Sequence, residues 1–140
     1  MTDQIHHVYL GLGSNIGDRH LTMEMACSEI EKRIGPILRR STFIETEPWG
    51  FQSENRFLNG VVCCETELLP REVLWRTQQI EQLLGRTRKS KAGIYHDRSI
   101  DIDILLYDHL TICEPDLRVP HPLMTKRDFV MIPLLEIINL

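Results

Sequence analysis

The sequence predicts an α+β sandwich, one antiparallel sheet with two helices laid against it. Three observations predict it. Segments of strand and helix periodicity follow one another in the order β-α-β-β-α-β. Gly35-Pro36, Pro70 and Gly85 stand where those segments should begin or end. The chain of 140 residues, 42% of them apolar, is long enough to bury a core and short enough to be one domain, so residues 1–140 are expected to form a single domain.

Val8 to Gly13 (VYLGLG) reads as the first strand, followed by the turn Ser14-Asn15-Ile16-Gly17-Asp18. The glycines at 11, 13 and 17 match neither G-x-G-x-x-G nor a loop ending in G-K-[ST]. They are expected to let the backbone turn tightly and approach a neighbouring segment. Asp18 is placed to cap a helix running to about Ile34, with Leu21, Met25, Ala26, Ile30 and Ile34 on its apolar face. Ile37 to Glu45 is the second strand. Thr46 to Arg56 (TEPWGFQSENR) is a loop, in which Trp49 and Phe51 either anchor to the core or close over a flat ligand.

Phe57 to Thr66 is the third strand. Asn59 lies among apolar residues there and needs partners for its amide, from neighbouring backbone or from a ligand edge. Pro70 opens the second helix, with Val73, Thr77, Ile80 and Leu84 on one face and Gly85 just past its end. A short strand is expected from Leu110 to Cys113. Pro120 and Pro122 hold His121 extended near Lys126 and Arg127, and an apolar helix runs from Phe129 to Ile138. The element order is that of the ferredoxin-like βαββαβ arrangement, which by itself implies no function.

The chemistry concentrates between Gly85 and Tyr107. Residues 86–98 carry five cations, Arg86, Arg88, Lys89, Lys91 and Arg98, with no apolar period, and read as a surface loop. Ile100 to Tyr107 is a strand with Ile100, Ile102, Ile104 and Leu106 toward one side and Asp101, Asp103 and Leu105 toward the other. Two carboxylates about 6.5 Å apart on one strand face suit a hard cation, and Mg²⁺ takes one or two carboxylates and completes its shell with phosphate oxygens and water. The cationic loop adds bidentate phosphate contacts. D-x-D alone is equally compatible with a solvated edge strand paired to the neighbouring arginines.

Bulk properties narrow the field. The net charge of −4 makes the whole surface unsuited to a duplex, and the local positive charge fits a small anionic ligand. No strand carries the aromatic signature of an RNA-recognition module. No apolar run approaches the roughly 18 residues of a membrane span, and no signal peptide is evident, so cytoplasm is expected. Cys27, Cys63, Cys64 and Cys113 form no C-x-x-C and are expected to be reduced core residues.

Six motifs occur in order: GLGSNIGD, T-x-P-W-G, F-L-N, GRxRxxK, R-S-I-D-I-D-I-L and V-P-H-P…K-R-x-F. Together they closely resemble the 6-hydroxymethyl-7,8-dihydropterin pyrophosphokinase family. The resemblance implies transfer of pyrophosphate from ATP to the hydroxymethyl oxygen of a reduced pterin, with release of AMP, in folate biosynthesis. It implies ATP and the pterin as partners, no nucleic acid, no membrane and a monomer. Asp101 and Asp103 would hold two Mg²⁺ ions, and Arg86 and Arg98 the phosphates and reacting groups, with Arg88 in the same loop. Glu81, His121 and Arg127 match nucleotide-contacting positions; Glu81 read alone is equally an ordinary helix-surface residue. Thr46 and Trp49 fall in the loop that contacts the pterin, Asn59 reads its edge, and Phe57 and Phe129 sandwich its ring. No general base stands out.

The sequence also departs from the family pattern. Phe57 replaces a Tyr found in some members, Leu123 a frequent basic residue, and KAGIYHDR a W-G-P-R segment. Tyr95 is the residue expected to cover the pterin in place of that Trp. These changes bear on loop closure and affinity more than on the reaction.

Overall fold

The computed structural model describes residues 4–46, 56–85 and 99–138. Strand β1 (His6–Ser14) leads through a turn into helix α1 (Arg19–Arg33), then β2 (Ile37–Arg40), β3 (Ile44–Thr46) and β4 (Phe57–Thr66). Helix α2 (Pro70–Leu83) precedes β5 (Asp101–Tyr107), the hairpin β6 (Ile112–Glu114) and β7 (Leu117–Val119), a short 3-10 turn, and α3 (Asp128–Ile137). The main sheet has the order β2-β4-β1-β5, with β3 also paired to β4. Every recorded pairing in it is antiparallel. This is the expected α+β topology: each helix crosses between strands that have a third strand inserted between them.

Side chains alternate across the sheet, so each face has its own core. Leu10, Leu12, Leu58, Val62, Ile102 and Ile104 join Met23 and Ile30 of α1 and Val73 and Ile80 of α2 in the larger cluster. On the opposite face Val61, Cys63 and Leu105 pack against Val130, Leu134 and Ile137 of α3. Asp18 caps α1 as expected, its Oδ1 accepting from the Leu21 N–H at 3.1 Å. Gly85 follows α2 at φ +110°. Among the described residues, no helix is long and apolar enough to cross a membrane.

Several sequence expectations are corrected. The buried face of α1 is Met23, Ala26, Cys27 and Ile30, whereas Leu21 and Met25 are exposed, because the helix turns its 23-26-27-30 stripe to the sheet. The second strand is two strands: near Ser41, whose hydroxyl accepts the Val61 N–H, the chain leaves the β2 register and re-pairs as β3. Thr46 therefore ends a strand and is not a loop residue. A bulge in β5 pairs Tyr9 with Leu106 but Leu10 with Ile104, so Leu105 is the extra residue. Beyond it the alternation reverses. Tyr107 joins the isoleucine side, and Leu106 packs against the α3 cluster. All four cysteines are free thiols, but Cys113 is exposed on β6 and is not a core residue.

Candidate active site

The two carboxylates of β5 lie on the face away from α1 and α2. Asp101 is directly opposite Gly13 of β1, which is itself opposite Asn59 of β4. Asp103 is opposite Gly11, and Gly11 is opposite Val61. Directly opposed residues share a face, so Asp101, Gly13 and Asn59 form one row, spanning about 10 Å over two strand spacings. Both aspartates are half-buried.

The glycines in β1 clear space between these groups. A Cβ added at Gly13 would lie 2.9 Å from Asn59 Oδ1 and 3.4 Å from the Phe57 ring. At Gly11 it would meet the Leu105 methyls at 3.4 Å. The sequence reading assigned these glycines to turning and backbone approach. Gly11 and Gly13 sit within β1, as the strand reading placed them, but what approaches them is side chain and not backbone. Their i, i+2 spacing in VYLGLG was the available signal, since it puts both on one face.

Asn59 is buried and held from one side. Its Nδ2 donates to Thr46 Oγ1 at 2.5 Å, and its Oδ1 is turned over Gly13. Thr46 pairs with Phe57 across β3 and β4, so Thr46, Phe57 and Asn59 share the face with the aspartates. The hydroxyl and amide leave this end of the floor polar, and Phe57 adds a half-buried aromatic wall.

The outer edge of β5 is tied down at two points. Glu81 of α2 is 5% exposed, and its Oε2 accepts the Ile102 N–H at 2.8 Å, between the two aspartates in sequence. It is not a helix-surface glutamate. The His121 N–H donates to the Leu105 carbonyl at 3.0 Å. The Leu123 N–H donates to His121 Nδ1 at 3.3 Å, which leaves the ring proton on Nε2. Burial holds the imidazole below its ordinary value of 6.5, the Arg127 charge pushes it the same way, and the Asp101 carboxylate opposes both. His121 is therefore neutral at pH 7, within electrostatic reach of both groups. Arg127 precedes α3 with its guanidinium carbon 5.6 Å from the Phe129 ring centroid.

Thus Asp101, Asp103, Asn59, Thr46 and Phe57 share one sheet face, His121 lies within electrostatic range of Asp101 and Arg127 within range of His121, and Phe129 borders the α3 cluster on that side. Glu81 reaches the same strand from its edge. Trp49, Arg86, Arg88, Tyr95 and Arg98 lie outside the described residues. Among the described residues, no three His, Cys, Asp or Glu side chains come together as a metal cage. Two hard oxygen donors on one strand suit a cation that arrives with phosphate oxygens and water of its own.

Residues 9–139 match the family described as 7,8-dihydro-6-hydroxymethylpterin-pyrophosphokinase. A 2-amino-4-hydroxy-6-hydroxymethyldihydropteridine pyrophosphokinase of Porphyromonas gingivalis is 52% identical over 131 residues, covering 93% of this chain and 89% of that protein. The Aquifex aeolicus protein of the same name is 45% identical over 130 residues, covering 93% and 79%. The fold is similar to that of an HPPK-DHPS crystallised in complex with substrates (TM-score 0.78, 18% identity). That match covers 96% of this chain but only 40% of that one. A Plasmodium falciparum HPPK-DHPS gives the same TM-score at 17% identity, with 96% and 41% coverage.

Proposed function

The chain belongs to the 7,8-dihydro-6-hydroxymethylpterin-pyrophosphokinase family, and from that premise we propose how its residues divide the work. The reaction is pyrophosphoryl transfer to the hydroxymethyl group of 6-hydroxymethyl-7,8-dihydropterin, a step of folate biosynthesis. ATP is the donor in our reading. The hydroxymethyl oxygen attacks the β-phosphorus, the bond from that phosphorus to the oxygen bridging to the α-phosphate breaks, and AMP leaves. The hydroxyl proton is released to solvent. We read residues 1–140 as one domain for this reaction, active as a monomer.

The observation that carries the proposal is the row Asp101-Gly13-Asn59. A flat heterocycle needs an edge reader, a floor without side chains and a path from its hydroxymethyl arm to the phosphates. Asn59 and Thr46 supply the edge, Gly13 the floor, and Asp101 stands at the far end of the row with Asp103 next to it on the same face of β5. Phe57 and Phe129 offer rings to stack on the pterin. Trp49 and Tyr95 are assigned to its cover.

Asp101 and Asp103 would hold Mg²⁺, two ions in the full complex. Bound there with the triphosphate, Mg²⁺ supplies charge neutralisation along the transferring group. The protein's own part is positioning. His121 donates Nε2–H to a phosphate oxygen without adding charge, and Arg127 adds charge beside it. Arg86, Arg88 and Arg98 are assigned to the phosphates as bidentate donors. Glu81 fixes the backbone between the carboxylates and reaches the nucleotide from the α2 side.

A product assay tests this. With ATP, Mg²⁺ and 6-hydroxymethyl-7,8-dihydropterin, AMP should form only when pterin is present. ADP in its place would mean attack at the γ-phosphorus and would overturn the proposed donor chemistry. Removal of Mg²⁺ by chelation should abolish turnover.

A further inference from the structure

The transfer proposed above uses no group of the Ser14–Asp18 turn, yet this turn decides where Arg19 lies. Gly17 has φ +70° with open space around its Cβ position, so the backbone conformation alone calls for glycine. Asp18 then fixes the first turn of α1. Its Oδ1 accepts from the Leu21 N–H, and its carbonyl accepts from the Thr22 N–H and hydroxyl, each at 3.0 Å. Arg19 is the first residue of the helix so placed.

The Arg19 guanidinium makes two contacts. Nη1 donates to the Arg56 carbonyl at 2.9 Å, and Nη2 donates to the Glu45 carboxylate. Glu45 precedes Thr46, and Arg56 precedes Phe57, and Thr46 and Phe57 are paired across β3 and β4. One planar fork therefore holds both strands at the end where Thr46 and Phe57 face each other. It does so from the helix side, because Glu45 points away from the face that Thr46 presents. The contact draws the Glu45 carboxyl below its ordinary value of 4.5. A lysine, with a single ammonium point, lacks the geometry to serve both acceptors.

We infer that Arg19 is a positioning residue for the pterin, holding the β3–β4 end from the α1 side so that Thr46, Asn59 and Phe57 keep their arrangement on the opposite face. The inference rests on reading that face as the pterin seat. It also gives the G-D-R run after the first strand a purpose that phosphate binding does not. Gly17 and Asp18 aim the helix, and Arg19 transmits that aim across the sheet.

The test compares wild type with Arg19→Ala, Arg19→Lys and Glu45→Ala in the AMP assay. Pterin is varied at saturating ATP, then ATP at saturating pterin, with thermal melting run alongside. Loss of a charged donor to two acceptors should raise KM for the pterin about tenfold in Arg19→Ala. KM for ATP should stay within about twofold, since the phosphate-binding groups are untouched. Arg19→Lys should resemble Arg19→Ala, and Glu45→Ala should show a smaller rise of the same kind. An unchanged pterin KM in folded Arg19→Ala would overturn the inference, as would equal rises for both substrates. Should Arg19→Ala not fold, Glu45→Ala decides alone, and an unmoved pterin KM there overturns it. Wild type without pterin-dependent AMP would instead bring down the proposed function; turnover with an unmoved KM removes only the role of Arg19.

Discussion

The two faces of the sheet are built from the same strands, one residue out of step, and they do opposite things. Toward α1 and α2, β1 presents Leu10 and Leu12, β4 presents Leu58 and Val62, and β5 presents Ile102 and Ile104, all at most 6% exposed. Toward the other side the same strands present Gly11 and Gly13, Asn59, and Asp101 and Asp103. The first face is a dry aliphatic layer that favours folding in proportion to the area it buries. The second has given up that area at one end and recovers it only where α3 covers Val61, Cys63 and Leu105. A period of two thus lets one strand stabilise with its even positions and carry the reacting groups with its odd ones. Neither side can be altered by a register slip without exchanging the roles.

Neighbours on β5 give the largest expected contrast. Ile102→Asp puts a charge into the aliphatic layer, where it is 5% exposed and has no partner prepared for it. A loss of more than about 3 kcal/mol is expected, enough to unfold much of the protein. Asp103→Ala, one residue on, should retain the melting transition and lose about a hundredfold to a thousandfold in kcat, through lost charge stabilisation. Circular dichroism with the AMP assay reads both. An Asp103→Ala enzyme with near-normal turnover would remove the metal-holding role. A folded, active Ile102→Asp would erase the distinction between the faces.

Gly13→Ala probes the same boundary more gently. The added methyl would sit 2.9 Å from Asn59 Oδ1, so the amide must move and disturb its bond to Thr46. Overpacking of this kind costs about 1 to 3 kcal/mol, and part of it should surface as weaker pterin affinity. We expect KM for the pterin to rise about tenfold, with KM for ATP little changed. Equal changes in both would mean that Gly13 serves the sheet and not the pterin floor.

Most of this division was legible in the sequence, and the exceptions have physical causes. Alternation in SIDIDILLY put Asp101 and Asp103 on one face and the isoleucines on the other, because strand period is a property of the backbone. The same rule misassigned Leu106, since one extra residue at Leu105 reverses the parity and nothing in a run of Leu announces a bulge. The buried face of α1 was displaced because Leu21 and Met25 are apolar yet exposed, and hydrophobicity alone does not say which apolar stripe meets the sheet. Asn59 was legible as a buried amide needing a partner, but that partner, Thr46, lies on another strand. Arg19 was invisible for the same reason. Its two acceptors, near residues 45 and 56, meet only once β3 and β4 pair.

Cys63 and Cys64 offer the finest test, because adjacent residues on β4 point into opposite cores. Cys64 lies in the helix-side cluster, and burial pushes its thiol up to about 12. Cys63 lies under α3. Burial raises its thiol as well, but the Tyr9 hydroxyl and the Arg39 guanidinium work against that rise. The cluster beneath α3 is the smaller of the two, and α3 exposes Ile132 and Leu135 on its outer side. Lifting this helix therefore opens the smaller core and breaks the hydrogen bonds from Arg39 to the Ile137 carbonyl and from Thr42 to Glu136, while leaving the larger core closed. Local opening should therefore uncover Cys63 without uncovering Cys64. Variants keeping only one of the two cysteines, with the exposed Cys113 and the buried Cys27 replaced by serine and alanine, can be labelled with iodoacetamide under native conditions. Cys63 should react about tenfold faster, equivalent to about 1.4 kcal/mol less opening free energy, once rates are corrected for thiolate fraction. Equal corrected rates would mean that the two cores open as one unit. The faces would then differ in chemistry but not in stability, and the site side would be no softer than the side that holds the fold together.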